Sequence, residues 1–352
     1  MASSSIAQLL GTQLPLIQAP MAGAQGSAMA VAVSNAGALG SLPCAMLTPD
    51  AMRAELAAIQ AATGGKPYNV NFFCHHAPVA SPEREADWRQ ALAPYYAEFG
   101  IDPAGIAPGA GRNPFSAEAV AVLEAFKPAV VSFHFGLPAD DLLARVRAWG
   151  AKVLCSATTV EEARWLAARG VDAIIAQGLE AGGHRGHFLS HDLTRQMGTF
   201  ALLPQLVKAV DVPVIAAGGI ADAAGVRAAM AMGAAGVQVG TAYLLCPEST
   251  ISAPHRAALA GKSDASHLHT ALTNLFTGRP ARGIMNRLVR ELGPPGEVAP
   301  EIPLPTAAIA PLRAKAESQG SGEFSPLWSG QNASGCKPIP AAELTRELAA
   351  GF

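Results

Sequence analysis

The chain has 352 residues, half of them hydrophobic and only 15% charged, which is enough to bury one large core or two domains. Its 25 basic and 27 acidic residues leave a formal charge of -2, which excludes a general attraction to nucleic acid or to an anionic membrane and points to a small-molecule partner. Five widely spaced cysteines, Cys44, Cys74, Cys155, Cys246 and Cys336, offer neither CxxC metal spacing nor a compact disulfide framework, and read as buried reduced thiols.

The first 49 residues contain no Lys, Arg, Asp or Glu. A secretory signal needs an N-terminal positive charge, and a spanning helix needs about 20 unbroken apolar residues. Pro15, Gln18, Pro20, Gln25 and Asn35 interrupt the run, so it is read as interior strand and helix of a cytoplasmic protein.

Taken in order, the chain repeats one unit: a short apolar run, a glycine or polar break, then an amphipathic segment of helix length. That alternation predicts βα units around a parallel sheet. The runs are Pro15 to Ala19, Ala38 to Leu42, Tyr68 to Phe73, Ala129 to Phe135, Lys152 to Ala157, Asp172 to Gln177, Val212 to Ala217 and Gly236 to Leu244. Between them, helices are expected near Ala28 to Asn35, from a Thr48 cap through Ala61, near Pro82 to Phe99, and near Ser116 to Phe126. Thr159 and Glu162 read as a capping box, and Asp222 and Gly233 as the cap and stop of the seventh helix.

Eight runs predict an α/β fold, a (β/α)8 TIM barrel, over residues 1–246. Residues 74–128 are longer than one unit needs and read as an insertion after strand 3, whose loop Ile101 to Pro114 is a candidate lid. Residues 247–352 read as a C-terminal helical and Pro-rich arm packed on the barrel, with a helix expected within Ser266 to Leu292. A doubly wound sheet would need an early GxGxxG turn, and none follows the first run.

Four constellations fall at predicted strand ends. AAGGI (Ala216 to Ile220) and QVGTAY (Gln238 to Tyr243) follow strands seven and eight, where barrels commonly bind phosphate through backbone N–H groups and a helix N-terminus; Gly218, Gly219 and Gly240 supply bare backbone and Thr241 a hydroxyl. QAPMAG (Gln18 to Gly23) can lie against an aromatic ring system. Asn71 and Gln177 put amides in otherwise apolar strands, for a ligand with imide edges or for a hydrogen bond inside the barrel. Finally, IIAQGLEAGGHRG (Ile174 to Gly186) places His184 among glycines on the ligand side of a turn, with His134 expected at the same end. His75, His76, His187 and His191 read as loop residues. No HExxH motif or carboxylate cluster suggests a metal.

QAPMAG, NVNFF, the QGxEAGGHRG pattern, AAGGI and QVGTAYL, in that order and spacing, resemble the nitronate monooxygenases, formerly called 2-nitropropane dioxygenases. GRPARGIMNR (Gly278 to Arg287) and LWSGQ (Leu327 to Gln331) are similar to that family's later segments. The resemblance implies an FMN-dependent barrel that oxidises nitronates with O2 to carbonyl compounds and nitrite. It implies His184 as the catalytic histidine and His134 as a second active-site histidine. The flavin contacts it implies are Pro20, Met21, Ala22, Asn71, Gln177, Gly182, Gly183, Gly218, Gly219 and the stretch Gln238, Val239, Gly240 and Thr241. Related barrels reduce quinones or enoyl thioesters with a nicotinamide cofactor, and a non-redox phosphate-binding barrel would show a Lys or carboxylate pair at its strand ends, which this chain lacks.

Overall fold

The computed structural model describes residues 6–76, 78, 81–106, 113–261 and 268–352. Eight parallel strands form the frame: β1 (Leu16–Gln18), β2 (Gly40–Pro43), β3 (Tyr68–Phe73), β4 (Val130–His134), β5 (Lys152–Ala157), β6 (Ala173–Gln177), then β8 (Val214–Ala217) and β9 (Gly236–Val239), with the two-residue β7 (Gly183–His184) outside their sheet. Their order is β1-β9-β8-β6-β5-β4-β3-β2. The two edges meet where the Gln18 amide donates to the Leu39 carbonyl and the Leu39 amide to the Leu16 carbonyl, so the sheet closes on itself. The expected TIM barrel is the observed one.

Strand side chains alternate between two apolar environments, which is why the sequence shows continuous apolar runs. Val130, Leu154, Ile175 and Ile215 cluster inside with Ile17 and Leu39, and the first helix, α1 (Ile6–Leu10), adds Ile6 and Leu10 to that interior. Val131, Phe133, Val153, Ile174 and Val237 face the surrounding helices. Further along the inward row the side chains turn polar: Asn71, Ser132, His134, Ser156 and Gln177 line a cavity.

The outer layer contains α2 (Ser27–Asn35), α3 (Pro49–Thr63), α5 (Ala117–Phe126), α6 (Asp140–Ala148), α7 (Val160–Ala167), α8 (Thr199–Ala209) and α9 (Ala223–Ala231); α4 (Pro82–Phe99) stands apart. Side-chain caps fall where expected: Thr48 Oγ1 accepts from the Ala51 amide at 3.2 Å and Asp222 Oδ1 from the Gly225 amide at 2.8 Å. The Thr159/Glu162 box is half formed. Thr159 Oγ1 takes the Glu162 amide, but the buried Glu162 carboxylate accepts from the Thr158 amide at 2.7 Å and the Phe188 amide at 2.6 Å, tying α7 to the loop after β7.

The region after β9 holds α10 (Ala253–Leu259), the antiparallel strands β10 (Thr270–Thr273) and β11 (Ala281–Ile284), α11 (Arg287–Leu292), α12 (Pro305–Ser318) and α13 (Ala341–Ala349). The last of these completes the barrel. Ala341, Leu344 and Leu348 join the barrel core, α13 packs against α2 and α9, and Tyr243 Oη lies 2.9 Å from Thr345 Oγ1. A second core binds α4 to the segments after β9: Trp88, Leu92 and Tyr96 pack with Leu275, Phe276, Leu312 and Phe324, and the Tyr96 hydroxyl donates to the Ala308 carbonyl at 2.7 Å.

Several boundaries differ from the sequence reading. The eighth strand stops at Val239, and Thr241–Leu245 is a 3-10 turn, because Gly240 leaves the extended conformation at φ -116°, ψ -74°. Only Arg287–Leu292 of Ser266 to Leu292 is helical within the described residues; the Thr270–Thr273 and Ala281–Ile284 segments pair with each other, and β11 pairs with β7, a long-range partnership that local periodicity does not register. Cys44, Cys155 and Cys246 are buried as expected, whereas Cys74 and Cys336 are only partly so. Residues 107–112 of the candidate lid lie outside the described residues, and none of the described part of 74–126 lines the cavity. Among the described residues no helix is long and apolar enough to cross a membrane, and no cluster of metal-ligating side chains occurs.

Candidate active site

The cavity, about 430 Å³, opens at the C-terminal ends of the barrel strands, within the range of small-molecule sites. The β1 loop brings Pro20, Met21 and Ala22 to it, β3 brings Asn71, and β4 brings His134. Gln177, Gly182, Gly183 and His184 arrive from β6 and the segment after it, Gly218 and Gly219 from the end of β8, and Gln238, Gly240 and Thr241 from β9. Val239 is the exception among the expected contacts. It points the other way, fully buried in the outer core, and only its carbonyl, which accepts from the Ala19 amide at 2.8 Å, turns toward β1.

The glycines here have separable reasons. Gly218 and Gly219 take φ of 111° and 75°, a conformation that L side chains rarely adopt, and so present a bent, bare backbone to the cavity. A Cβ on Gly182 would come within 2.5 Å of the Gly330 amide nitrogen, so that position is bare because the chain after β11 passes against it. That same chain closes the β8 and β9 loops: Asn332 Nδ2 donates to the Gly219 carbonyl at 2.9 Å, and the Gly330 amide to Thr241 Oγ1 at 2.9 Å.

The amides do not wait for a ligand as the sequence reading allowed. Gln177 Nε2 donates to the His184 carbonyl at 2.9 Å while its Oε1 accepts from the Gly186 amide at 2.8 Å, and Asn71 Nδ2 donates to Ser132 Oγ at 2.9 Å. Both residues therefore shape the wall through bonds within the protein. Gln238 is different: its buried Oε1 has no protein donor. An acceptor buried without a partner costs free energy unless a ligand supplies a donor.

The two histidines divide sharply. His134 Nε2 donates to the His184 carbonyl at 3.1 Å, leaving Nδ1 to accept from Ser156 Oγ at 3.0 Å. Burial pushes its pKa down to about 4, with the Arg279 and Arg185 guanidiniums acting in the same direction, so His134 is a neutral brace with both nitrogens engaged. Its ring also explains Gly186, where a Cβ would fall 2.7 Å from His134 Cε1. The next residue to His184, Arg185, is fully buried and donates to the Gly178 carbonyl at 2.6 Å and the Gln177 carbonyl at 2.8 Å; it staples the loop. His184 itself sits on β7, paired with Ala281 of β11, with Phe73, Phe135 and Trp328 around its ring and Thr277 Oγ1 2.9 Å from its Nε2.

A flavin mononucleotide suits these features. The bent glycine backbone at Gly218 and Gly219 can receive a phosphate, the β1 loop offers an uncharged surface for a ring, and Gln238 Oε1 offers an unmet acceptor. The ionisable residues lining the cavity are His134, His184, His255, Arg313 and Glu317 among the described residues, so no lysine or carboxylate pair of a non-redox barrel is present.

The family model for nitronate monooxygenase matches residues 3–351. The chain belongs to the nitronate monooxygenase family. A nitronate monooxygenase from Pseudomonas aeruginosa is 43% identical over 97% of this chain and 97% of its own length, and one from Paraburkholderia phytofirmans is 41% identical over 97% and 92%. Among solved structures, nitroalkane oxidase from Streptomyces ansochromogenes superposes with a TM-score of 0.88 at 39% identity, covering 99% of this chain and 97% of that one. FabK from Thermotoga maritima gives 0.71 at 26% identity, covering 100% and 96%.

For a member of the nitronate monooxygenase family, residues contributed from after β9 matter as well: Trp328 and Gly330, and Thr277 and Asn332, which sequence reading did not single out. LWSGQ had signalled Trp328 and Gly330 through resemblance alone. Thr277 carried no signal, because its partner is 93 positions away.

Proposed function

We propose that the protein oxidises alkyl nitronates with O2, and neutral nitroalkanes after their deprotonation, using FMN held in the strand-end cavity. What supports this reading most is the placement of His184: a histidine on the cavity wall, fixed by β7, in the glycine-rich segment that resembles the family's, whose relatives are named for this activity. A flavin bound there supplies an electron acceptor beside the substrate and the reactivity toward O2 that ends in a carbonyl compound and nitrite. The chain's own residues do the rest. Gly218, Gly219, Gly240 and Thr241 would hold the phosphate; Pro20, Met21, Ala22 and Gln238 would border the ring; Asn71, Gln177, Gly182 and Gly183 would shape its edge. His184 holds the nitronate by a hydrogen bond or takes the α-proton of a nitroalkane. His134, with both nitrogens engaged, positions the His184 backbone and exchanges no proton with substrate.

We also propose a division into a barrel and an arm, with α13 counted in the barrel and the arm running over residues 247–340. The likeness to FabK is weaker than that to nitroalkane oxidase, and a nicotinamide-dependent reductase is the less supported reading. The visible spectrum of the purified protein decides between them. FMN absorbance bleached by an anaerobic nitronate and only slowly by NADH is expected; rapid bleaching by NADH alone overturns the proposal, and a colourless protein overturns the cofactor.

A further inference from the structure

The histidine on the barrel side of the cavity is held from the other side. Thr277 is 1% exposed, in the turn between β10 and β11, and its Oγ1 lies 2.9 Å from His184 Nε2 and 3.3 Å from the Arg279 carbonyl. A hydroxyl has one proton to give, and a carbonyl can only accept. With that proton on the Arg279 carbonyl, the Thr277 oxygen accepts from His184 Nε2–H, and neutral imidazole then carries its lone pair on Nδ1. The opposite polarity would put the lone pair on Nε2, against Thr277, where no substrate proton can reach it.

The geometry points to Thr277 as a positioning residue that sets the His184 tautomer with Nδ1 as the basic nitrogen. This rests on the reading of His184 as the base for neutral nitroalkanes. In that step the proton on the carbon next to the nitro group passes to Nδ1, the C–H electron pair stays on the substrate as the nitronate, and Nε2–H remains donated to Thr277. Because the oxygen of Thr277 is an acceptor in both states, the imidazolium forms without any group having to turn. The turn is itself held in place: the Gly278 amide donates to the Asn274 carbonyl at 2.7 Å, and Thr306 Oγ1 to the Phe276 carbonyl at 3.1 Å. The arm's hairpin is thus part of the acid–base machinery.

Among the described residues, the ionisable groups near His184 include Arg185 on its own segment, Arg279 over the Phe135 ring, Arg282 on β11 beside Ala281, His134 on β4, and His75, which packs on the Phe73 and Phe135 rings. Burial lowers Arg185 to about 9 and Arg279 to about 10, so both stay charged through neutrality, and His134 stays neutral above about pH 4.

The holoenzyme labelled with 15N-histidine tests this directly. Long-range proton–nitrogen spectra, with His184 assigned by its loss in His184→Asn, are expected to show the Nε2–H tautomer; an Nδ1–H tautomer in the wild type overturns the inference with no variant needed. With nitroethane as substrate, Thr277→Val is expected to lower kcat/KM on the order of ten- to a hundredfold, the scale of a lost hydrogen bond to a charged group. It should also shift the acid limb of the pH profile down by about one unit, since the imidazolium loses its acceptor. Thr277→Ser should restore both. An unmoved limb, or a loss that serine does not rescue, means that Thr277 is only packing. If instead His184→Asn oxidises nitroethane at the wild-type rate, the base assignment itself falls and takes the inference with it, whereas a wrong tautomer in an enzyme that needs His184 removes the inference alone.

Discussion

The two walls of the cavity are built on different principles. The barrel wall is made of strand ends, and its contribution is mostly backbone and amide: bent glycines at Gly218 and Gly219, an unmet carbonyl oxygen at Gln238, a braced neutral His134. The opposite wall comes from the chain after β9 and presents side chains against those ends: Thr277 on His184, Trp328 on the His184 ring, Asn332 on the Gly219 carbonyl. On the proposed reading the barrel provides a place to bind, and the chain after β9 fixes the His184 side chain within it. On that reading the precision of the site depends on a contact between two segments, not on either alone.

The sharpest way to break this comparison is to remove the residue where the walls meet. His184→Asn should keep the fold, since its backbone pairing with Ala281 survives, and should keep the flavin colour. Turnover of neutral nitroalkanes should fall by about 10²- to 10⁴-fold, and that of preformed nitronates by less, because only the former need a base. Steady-state rates on matched nitroalkane and nitronate pairs check it. Equal losses on both forms would show that His184 serves substrate binding alone.

The same contrast explains what could be read from the sequence. Each barrel strand is buried on both faces, so apolar runs and glycine breaks marked all eight, and the predicted site residues other than Val239 line one cavity. Val239 failed because parity along β9 sends Gln238 inward and its neighbour outward. The arm was illegible for a physical reason: β11 gains its partner from β7, about a hundred residues earlier, and Thr277 acts in a turn with no periodicity. α13 was covered only by the expectation of a helical arm and not read as the barrel's eighth helix, since its place beside α2 is a matter of tertiary packing.

Acid should separate the walls next. His255 on the arm side donates Nε2–H to the Trp328 carbonyl at 3.1 Å and is pushed down to about 4, chiefly by burial; on the barrel side burial lowers His187 to about 3. A histidine depressed in the folded state binds its proton more readily when unfolded. These groups therefore leave stability untouched above the ordinary value of about 6.5 and erode it as pH falls from there through about 4. For His255 alone the loss amounts to at most about 3 to 4 kcal/mol at about 1.4 kcal/mol per unit. Urea unfolding at pH 7.5, 6.5 and 5.5 should show the decline, and His255→Asn should reduce its slope by one histidine's share, His187 and His134 carrying the rest. A slope that His255→Asn leaves unchanged would place the acid sensitivity elsewhere.

The smallest effect expected tests where the barrel ends. Thr345 Oγ1 donates to the Ala341 carbonyl at 2.7 Å, so its oxygen must accept from the Tyr243 hydroxyl 2.9 Å away, both groups being buried. This bond joins the turn after β9 to α13, on the outer side of the barrel from the cavity, with Tyr243 in the core shared by Leu344 and Leu348. Tyr243→Phe removes the donor but leaves the Thr345 proton satisfied and the ring packing intact. The cost should be about 0.5 to 1.5 kcal/mol of unfolding free energy, the net worth of one such bond. FMN content and the nitroalkane rate should stay at wild-type values, because the substitution touches the closure of the barrel and not either wall of the site. Loss of flavin in a well-folded Tyr243→Phe protein would show instead that α13 and the phosphate loops move together, and the line between barrel and arm would have to be drawn before Thr241.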